Sequence, residues 1–178
     1  MTRPQLHTPR LLLRRPQIED FDAYASFMAD DRSARFVGGV QARPVAWRGF
    51  VGLAGAWELQ GFSMFSVILK ETGDWIGRVG PWAPDSWPGK EVGWGIAPAY
   101  WNQGYATEAA FAAMNWAFDH LGWDDVIHVI APDNAASIAV ARKLGARNRG
   151  PGQLPAPFDA TDVDIWGQTN LEWRRQSR

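Results

Sequence analysis

The chain has 178 residues, a length that suits one substantial hydrophobic core better than two. Its formal net charge of −1 gives no overall attraction to nucleic acid or to an anionic membrane, and the lack of cysteine excludes a disulfide framework and a thiolate nucleophile. The three histidines are too scattered to indicate a metal site, and no apolar run approaches the roughly 20 residues of a membrane span. We therefore expect one cytoplasmic domain over residues 1–178, with no metal, nucleic acid or membrane partner.

The first half of the chain is predicted to contain two helices and three strands. Apolar residues recur at helical spacing within residues 20–29, and Pro44 opens a second helix whose three glycines weaken the pattern. Two apolar runs separated by Glu71-Thr-Gly-Asp74 predict a β-hairpin. In chain order, these elements are a strand at 11–15, helices at 20–29 and 43–60, and strands at 62–69 and 75–79.

The second half of the chain starts with a loop that holds three prolines. Its clearest element is a helix in which apolar residues from Ala110 to Leu121 form a continuous stripe, and Gly145 ends a further helix. In chain order, the predicted elements are a loop at 81–89, a strand at 91–96, a helix at 107–121, a strand at 126–130, a helix at 134–144 and a strand at 163–168. Strands and helices mix without strict alternation, which predicts a mixed sheet with helices on both faces.

The segment that joins the strand at 91–96 to the next helix has the features of an anion site. A helix N-terminus offers unpaired N–H groups and a partial positive charge, and Gly104 lets the backbone come close to a ligand. The Gly-Lys-Ser/Thr run of a nucleotide-phosphate loop is absent from the chain. A dinucleotide fingerprint that began at Gly93 would have Pro98 in place of its third glycine. The sequence therefore predicts a phosphate or pyrophosphate site outside these two kinds of loop.

The pattern x-x-x-Gly-x-Ala over residues 101–106 resembles the GNAT N-acetyltransferase superfamily, and most closely its branch related to the ribosomal-protein N-terminal acetyltransferases. Trp101 stands where many superfamily members carry Gln or Arg, a departure that this branch shares. Four further segments are similar to this branch in the family's order and spacing: residues 8–20, 76–80, 134–145 and, as a closing strand, 164–173. The resemblance covers almost the whole chain.

The resemblance implies an α/β (α+β) fold with a mixed, mostly antiparallel twisted sheet, helices on both faces, and acetyl-CoA in the splay between two central strands. The pantetheine arm would pair with the strand edge at Val92, Trp94 and Ile96, and the N–H of Ile96 would bind the acetyl carbonyl. The residues implied for the pyrophosphate are Asn102, Gln103, Gly104, Tyr105, Ala106 and Thr107. Gly93 and Gly95 have two interpretations. They suit a strand that is approached closely by something other than a side chain, or they mark a β-bulge without a ligand.

Asn134 and Ser137 admit two compatible interpretations. As a local feature, Asn134 is a helix N-cap with Ser137 three residues on, which needs no ligand. The resemblance implies that Asn134 contacts the pantetheine and that Ser137 lies near the sulfur, where its hydroxyl could protonate the leaving thiolate. Many superfamily members use a tyrosine further along this helix, but residues 139–144 contain none.

The general base has three candidates. An α-amine has a pKa near 8 and a lysine amine one near 10.4, so the acceptor arrives mostly protonated at pH 7. Glu91 opens the strand where several family members carry a catalytic glutamate, but it could equally be a strand-end carboxylate in solvent. Asp162 and Asp164 on the last strand are its competitors.

The resemblance implies an acetyl-CoA-dependent N-acetyltransferase that moves the acetyl group to a primary amine by direct transfer in a ternary complex. The alternative is a non-catalytic CoA-binding domain of the same fold. A nucleotide-dependent kinase or dehydrogenase is disfavoured because the loop before the helix at 107–121 fits neither of their phosphate-binding patterns. The acceptor would be a small-molecule amine or a protein N-terminus, bound by residues 31–61 and the loop at 81–89. Few acids occur there, which disfavours a polycation. Exposed tryptophans would favour a homodimer.

Overall fold

The computed structural model describes residues 4–176, in which eight strands form one sheet in the order β1-β2-β3-β4-β5-β6-β8-β7. The strands are Gln5–His7 (β1), Leu11–Arg14 (β2), Phe65–Leu69 (β3), Trp75–Trp82 (β4), Glu91–Ile96 (β5), Asp125–Ile130 (β6), Arg147–Gly152 (β7) and Val163–Thr169 (β8). Every neighbouring pair is antiparallel except β5 and β6, which are parallel. The sheet is therefore mixed and mostly antiparallel, as predicted.

Helices cover both faces of this sheet. They are Phe21–Ala29 (α1), Asp31–Ala34 (α2), Arg43–Leu59 (α3), Tyr105–His120 (α4), Ala135–Lys143 (α5) and Asn170–Gln176 (α6). Side chains of α4 pack with Val92 and Ile96, whereas Phe27 of α1 covers the position of Gly95. Because successive strand residues point to opposite faces, α1 and α4 lie on opposite sides of β5. Within residues 4–176, no helix has both the length and the apolar character needed to cross a membrane.

The central helices and strands agree with the prediction to within a few residues, and the differences lie at the sheet edges. β1 and β7 were not expected: β1 has three residues, and β7 reads Arg-Asn-Arg-Gly-Pro-Gly and is mostly exposed, so neither carries an apolar pattern. The segment at 164–173 is not a continuous strand, because β8 ends at Thr169 and α6 follows.

β4 also runs two residues into the predicted loop at 81–89. Pro81 pairs with Val92 in a position where its backbone nitrogen faces away from β5, beyond the last residue of β3 that pairs with β4. A proline is tolerated there because no strand partner requires its missing N–H.

A gap opens in the middle of the sheet between β5 and β6. The two strands pair only through Glu91 and Ile127, with the N–H of Ile127 donating to the oxygen of Lys90 at 2.9 Å. Beyond this point the edges of β5 and β6 are no longer joined as a ladder. The sheet therefore has an internal strand edge. Residues 97–104, which include a 3₁₀ turn, lead from β5 to α4, and residues 131–134 lead from β6 to α5.

Candidate active site

The edge of β5 that faces the gap consists of the backbone of Val92, Trp94 and Ile96. The N–H of Ala97 donates to the oxygen of Ile76 at 2.8 Å, and hydrogen-bonded pairs alternate in an antiparallel ladder. Residues 91, 93 and 95 therefore face β4, and residues 92, 94 and 96 face the gap. Two of the three carbonyls have partners: Val92 accepts from His128, and Ile96 accepts from the indole of Trp101 at 2.6 Å.

Two glycines on the other face of β5 have a different role from the expected one. A Cβ at Gly93 would lie 2.8 Å from the methyl carbon of Met64, and one at Gly95 would lie 3.0 Å from the ring of Phe27. Both residues pair regularly with β4, at Gly80 and Arg78, so neither marks a bulge. The expectation that something other than a side chain approaches these glycines was wrong, since buried side chains fill the space above them.

The loop before α4 has the backbone shape of an anion site. Asn102 and Gly104 both have positive φ, of 60° and 81°, and Gly104 is the N-cap of α4. The first intrahelical bond runs from the N–H of Glu108 to the oxygen of Gly104, at 3.0 Å. The N–H groups of Tyr105, Ala106 and Thr107 therefore have no helical acceptor and point out of the helix end. Residues 101–104, which include Gln103, are exposed.

Arg10 holds this loop in place and was not singled out from the sequence. Its guanidinium pairs with Glu108 at 2.6 Å, donates to the oxygen of Gln103 at 2.9 Å and lies 4.3 Å from the ring centre of Tyr105. Glu108 also accepts from Thr8 at 2.6 Å. Burial alone would raise the pKa of Glu108, but the bonds from Thr8 and Arg10 hold it below its usual value. Glu108 is therefore structural.

Asn134 and Ser137 border the gap from the side of β6. The Oδ1 of Asn134 accepts from the N–H of Ser137 at 3.1 Å, so the predicted N-cap is present. The hydroxyl of Ser137 accepts a hydrogen bond from the indole of Trp94 at 3.2 Å. A hydroxyl that accepts from an indole keeps its own proton free to donate. Trp94 thus connects the gap edge of β5 to the first turn of α5.

His128 on β6 is a second residue that the sequence did not single out. Its Nδ1 lies 2.7 Å from the oxygen of Val92, and a carbonyl can only accept, so Nδ1 carries the proton. The ring packs against Trp94, with ring centres 4.8 Å apart. Burial lowers the pKa of His128 to about 4, although the bond to Val92 favours the charged form. A neutral imidazole therefore spans the closed end of the gap; a single histidine within a buried strand gave no signal of this.

Glu91 lies on the opposite face of β5 from Trp94, and its side chain is buried rather than solvated. One carboxylate oxygen accepts from the indole of Trp87 at 2.7 Å and the other from the N–H of Val129 at 3.2 Å. Burial raises the pKa of Glu91 to about 7, against the opposing effects of Val129, Trp87 and the nearby guanidinium of Arg78. The interpretation of Glu91 as a solvent-exposed strand end was therefore wrong.

The two competing aspartates lie on the side of β6 away from β5, where Asp164 of β8 pairs with Ile130. Asp162 and Asp164 border a cavity of about 430 Å³ formed by Pro132 and the segment that joins β7 to β8. Asp162 is exposed, and Asp164 accepts from the amide of Asn148 at 2.8 Å. Within residues 4–176, neither aspartate forms a hydrogen bond to a residue of β5. Hydrogen bonds connect Trp94 to Ser137 and Ser137 to Asn134, and a separate one connects Glu91 to Val129 of β6, but among residues 4–176 neither aspartate is bonded to any of these residues.

Sequence comparison identifies a family whose members are acetyltransferases. Residues 10–147 match the family model described as the acetyltransferase (GNAT) domain. N-acetyltransferase p20 of Bacillus licheniformis is 27% identical over 148 residues, which cover 82% of this chain and 83% of that protein. The family-model match spans β2 to the first residue of β7 and therefore includes the gap and both helices that border it.

Solved structures show the same fold. An acetyltransferase from Agrobacterium tumefaciens aligns with a TM-score of 0.82 and 34% identity, covering 96% of each chain. RimL, a ribosomal L7/L12 α-N-protein acetyltransferase solved in complex with coenzyme A, aligns with a TM-score of 0.75 and 16% identity over 93% of this chain and 98% of its own. With the family match over most of its length, the chain belongs to the GNAT acetyltransferase family, whose activity is the acetyl-CoA-dependent transfer of an acetyl group to nitrogen.

Proposed function

We propose that the β5–β6 gap is the acetyl-transfer site of this chain and that its acceptor is a primary amine. The observation that carries the proposal is the internal edge of β5, whose outward backbone groups lie beside the open N-terminus of α4. A strand edge can pair with the amides of an extended arm, and a helix N-terminus can bind phosphate. These two features follow one another in the chain, and the indole of Trp101, in the loop before α4, donates to the oxygen of Ile96 at the end of β5.

Particular residues would hold acetyl-CoA, which supplies a thioester carbonyl as the acyl donor. The backbone of Trp94 and Ile96 would pair with the pantetheine. The Ile96 N–H would bind this arm rather than the acetyl carbonyl expected from the sequence, because Ile96 lies five residues, about 16 Å along β5, from the proposed base Glu91. Val92 and Ile96 would contribute less through their carbonyls, which already accept from His128 and from Trp101. The N–H groups of residues 103–107 would bind the pyrophosphate, with Asn102 beside them. Asn134 would contact the arm from the side of α5 while still capping that helix.

Two side chains on opposite faces of β5 would handle the protons. Glu91 takes a proton from the amine on one face, either directly or through water, and Ser137 gives one to the sulfur on the other. Nitrogen then forms a bond to the carbonyl carbon as the carbon–sulfur bond breaks, and the products are an amide and a thiol. The proton held by Glu91 returns through solvent to the Ser137 oxygen, and an acceptor that arrives as an ammonium first loses its additional proton to water. A base pKa of about 7 suits proton removal near neutral pH. The indole N–H of Trp94 donates to the oxygen of Ser137, so the hydroxyl proton of Ser137 remains available for the sulfur.

A thiol-release assay across a panel of amines tests this function directly. We expect free CoA to appear only when acetyl-CoA and an amine are both present, and the amide product to be detectable by mass spectrometry. The alternative of a non-catalytic CoA-binding domain predicts binding of CoA in calorimetry without thiol release from any amine. That outcome would overturn the proposed function while leaving the assignment of the binding site intact.

The remaining features of the proposal come from the sequence. One acetyltransferase domain over residues 1–178, a cytoplasmic location and a homodimer are predictions, as is the choice between a small-molecule amine and a protein N-terminus as the acceptor. Trp47 and Trp101 are the tryptophans with large exposed surface among residues 4–176, which supports a search for self-association. Sedimentation at several protein concentrations would test the homodimer.

A further inference from the structure

Arg78 on β4 lies on the same face of the sheet as Glu91. It pairs with Gly95 of β5, and residues opposite each other in an antiparallel pair point to the same face. That face is the one covered by α1, since Phe27 lies over Gly95. Glu91 lies four residues before Gly95 on β5, and its side chain points to the same face as Arg78. On this face of β5, Gly93 is the one residue between Glu91 and Gly95.

The guanidinium of Arg78 lacks the partners that a half-buried charge normally has. Its Nη1 donates to the sulfur of Met64 at 3.3 Å, which is a weak acceptor, and its Nε is buried without a hydrogen-bond partner within residues 4–176. The same residues supply no ion pair within 4.0 Å. A buried donor without an acceptor is destabilising, and more so when it carries charge.

Elsewhere on the same face, the chain does pair a partly buried arginine. The side chain of Arg14 is 15% exposed and forms two bonds to the carboxylate of Asp20, each 2.7 Å long. Asp20 is itself buried and also accepts from Ser66. The fold can therefore place a carboxylate against a guanidinium on this face, and it does not do so at Arg78.

We propose that Arg78 binds a carboxylate of the acceptor, so that the acceptor is an amine with a carboxylate a few bonds from its amino group. This inference rests on the proposed function, in which Glu91 receives the proton of that amine. A planar guanidinium matches a carboxylate in a two-bond arrangement. The field of Arg78 already acts on Glu91, so an ammonium at Glu91 and a carboxylate at Arg78 would be held by opposite charges. A free amino acid and a peptide N-terminus followed by an acidic side chain share this chemistry.

The test compares acceptors that differ only in one carboxylate. Free amino acids are assayed beside their carboxamides, and short peptide amides with Glu at the second position beside those with Gln. We expect one of these two pairs to show a KM about 10- to 100-fold lower for the acid, the range for a paired charged hydrogen bond. The pair that shows the preference identifies the source of the carboxylate.

Variants locate the preference at Arg78. Arg78→Met should raise the KM for the acid to that of its amide, and Arg78→Lys should keep part of the preference because it keeps the charge. The ratio of the two KM values within each protein is the measurement, because loss of the Arg78 charge also raises the pKa of Glu91 and so changes kcat for both acceptors. The exposed Arg147, replaced by Met, serves as the control and should retain the preference. CoA affinity, measured by calorimetry, should be equal in all four proteins.

Two kinds of outcome would distinguish a failure of this inference from a failure of the proposed acetyl-transfer function. Equal KM values for acids and amides in the wild-type protein, or a preference that survives in Arg78→Met, would overturn the role of Arg78 and leave the transferase in place. The lack of thiol release with every amine, with or without a carboxylate, would overturn both.

Discussion

Glu91 on β5 accepts a hydrogen bond from the backbone N–H of Val129 on β6, with 3.2 Å between oxygen and nitrogen. In a continuous parallel ladder, a backbone carbonyl of β5 would accept the hydrogen bond from this N–H of β6. Here the side chain of Glu91 supplies the acceptor just beyond the single pairing of Glu91 with Ile127. The carboxylate thus closes the narrow end of the gap, where a base for the reaction is also expected.

The first prediction concerns Glu91 as the base. Glu91→Gln should lower turnover by about 10²–10⁴-fold, the usual range for loss of such a group, with acetyl-CoA affinity nearly unchanged. The deficit should shrink as pH rises, because more of the amine then arrives deprotonated. In the wild-type protein, kcat/KM should rise with pH through an apparent pKa of about 7, since the protonated carboxyl cannot accept a proton. Steady-state kinetics from pH 5 to 9 would measure both effects.

A control is needed because a carboxamide offers one acceptor where a carboxylate offers two. The donors of Trp87 and Val129 both point at Glu91, so Glu91→Gln leaves one of them unsatisfied. Adding Trp87→Phe removes the extra donor, and the double variant should recover stability without recovering turnover. If turnover of Glu91→Gln at pH 7 matched wild type, Asp162→Asn and Asp164→Asn would be the next variants to assay.

The second prediction is a pH-dependent stability that comes from Glu91. Its pKa rises from an ordinary 4.5 to about 7 on folding, so the neutral form is favoured in the folded protein. The stabilisation that this provides is complete below pH 4.5 and is lost as pH rises to about 7, by about 3 kcal/mol in total. Urea unfolding at several pH values should show wild type losing this much relative to Glu91→Gln. The exposed control Asp162→Asn should show no such difference from wild type.

The third prediction concerns the anion loop. Gly104→Glu should abolish acetyl-CoA binding, because a carboxylate at the mouth of α4 would fill and repel the phosphate position. Gly104 has a φ of 81°, so any side chain there is strained, by about 1–2 kcal/mol. Gly104→Ala carries the same strain without the charge and should therefore keep measurable CoA affinity. Unchanged calorimetric affinity in a folded Gly104→Glu variant would refute the loop assignment.

The fourth prediction separates the two roles of Asn134. Asn134→Ala removes the bond to the N–H of Ser137 and should lower the free energy of unfolding by about 1 kcal/mol whatever its part in catalysis. Asn134→Asp keeps an N-cap acceptor but places a negative charge beside the gap. If the arm of the cofactor contacts this residue, CoA affinity measured well below the melting temperature should fall in Asn134→Ala; an unaltered affinity would leave only the cap.

The fifth prediction concerns Ser137 as the proton donor to sulfur. Ser137→Ala should lower kcat with little change in CoA affinity, by an amount at the low end of the about 10²–10⁴-fold range for acid–base groups. Trp94→Phe keeps an aromatic ring against His128 but removes the indole donor to Ser137. A smaller loss of kcat in Trp94→Phe than in Ser137→Ala would indicate that Trp94 positions the hydroxyl. Full activity of Ser137→Ala would show that the proton comes from water.

The central helices and strands, and the loop at Gly104, could be predicted from the sequence because their signals are local. Hydrophobic spacing determines which face of α4 is buried, and a glycine at a helix start permits the positive φ found there. Asn134 as an N-cap follows from the same kind of local rule. Edge elements such as β7 escaped prediction because an exposed strand of polar residues, glycine and proline carries no apolar period.

What only the tertiary structure decided was the environment of each candidate side chain. Glu91 is buried and hydrogen-bonded to the neighbouring strand β6, whereas Asp162 is exposed just before β8, although the sequence left both open as the base. His128 and Arg10 reach residues 36 and 93 positions away, so no short window could reveal those contacts. Burial and long-range pairing set the pKa and the orientation of a side chain, and both depend on segments that meet only when the sheet assembles.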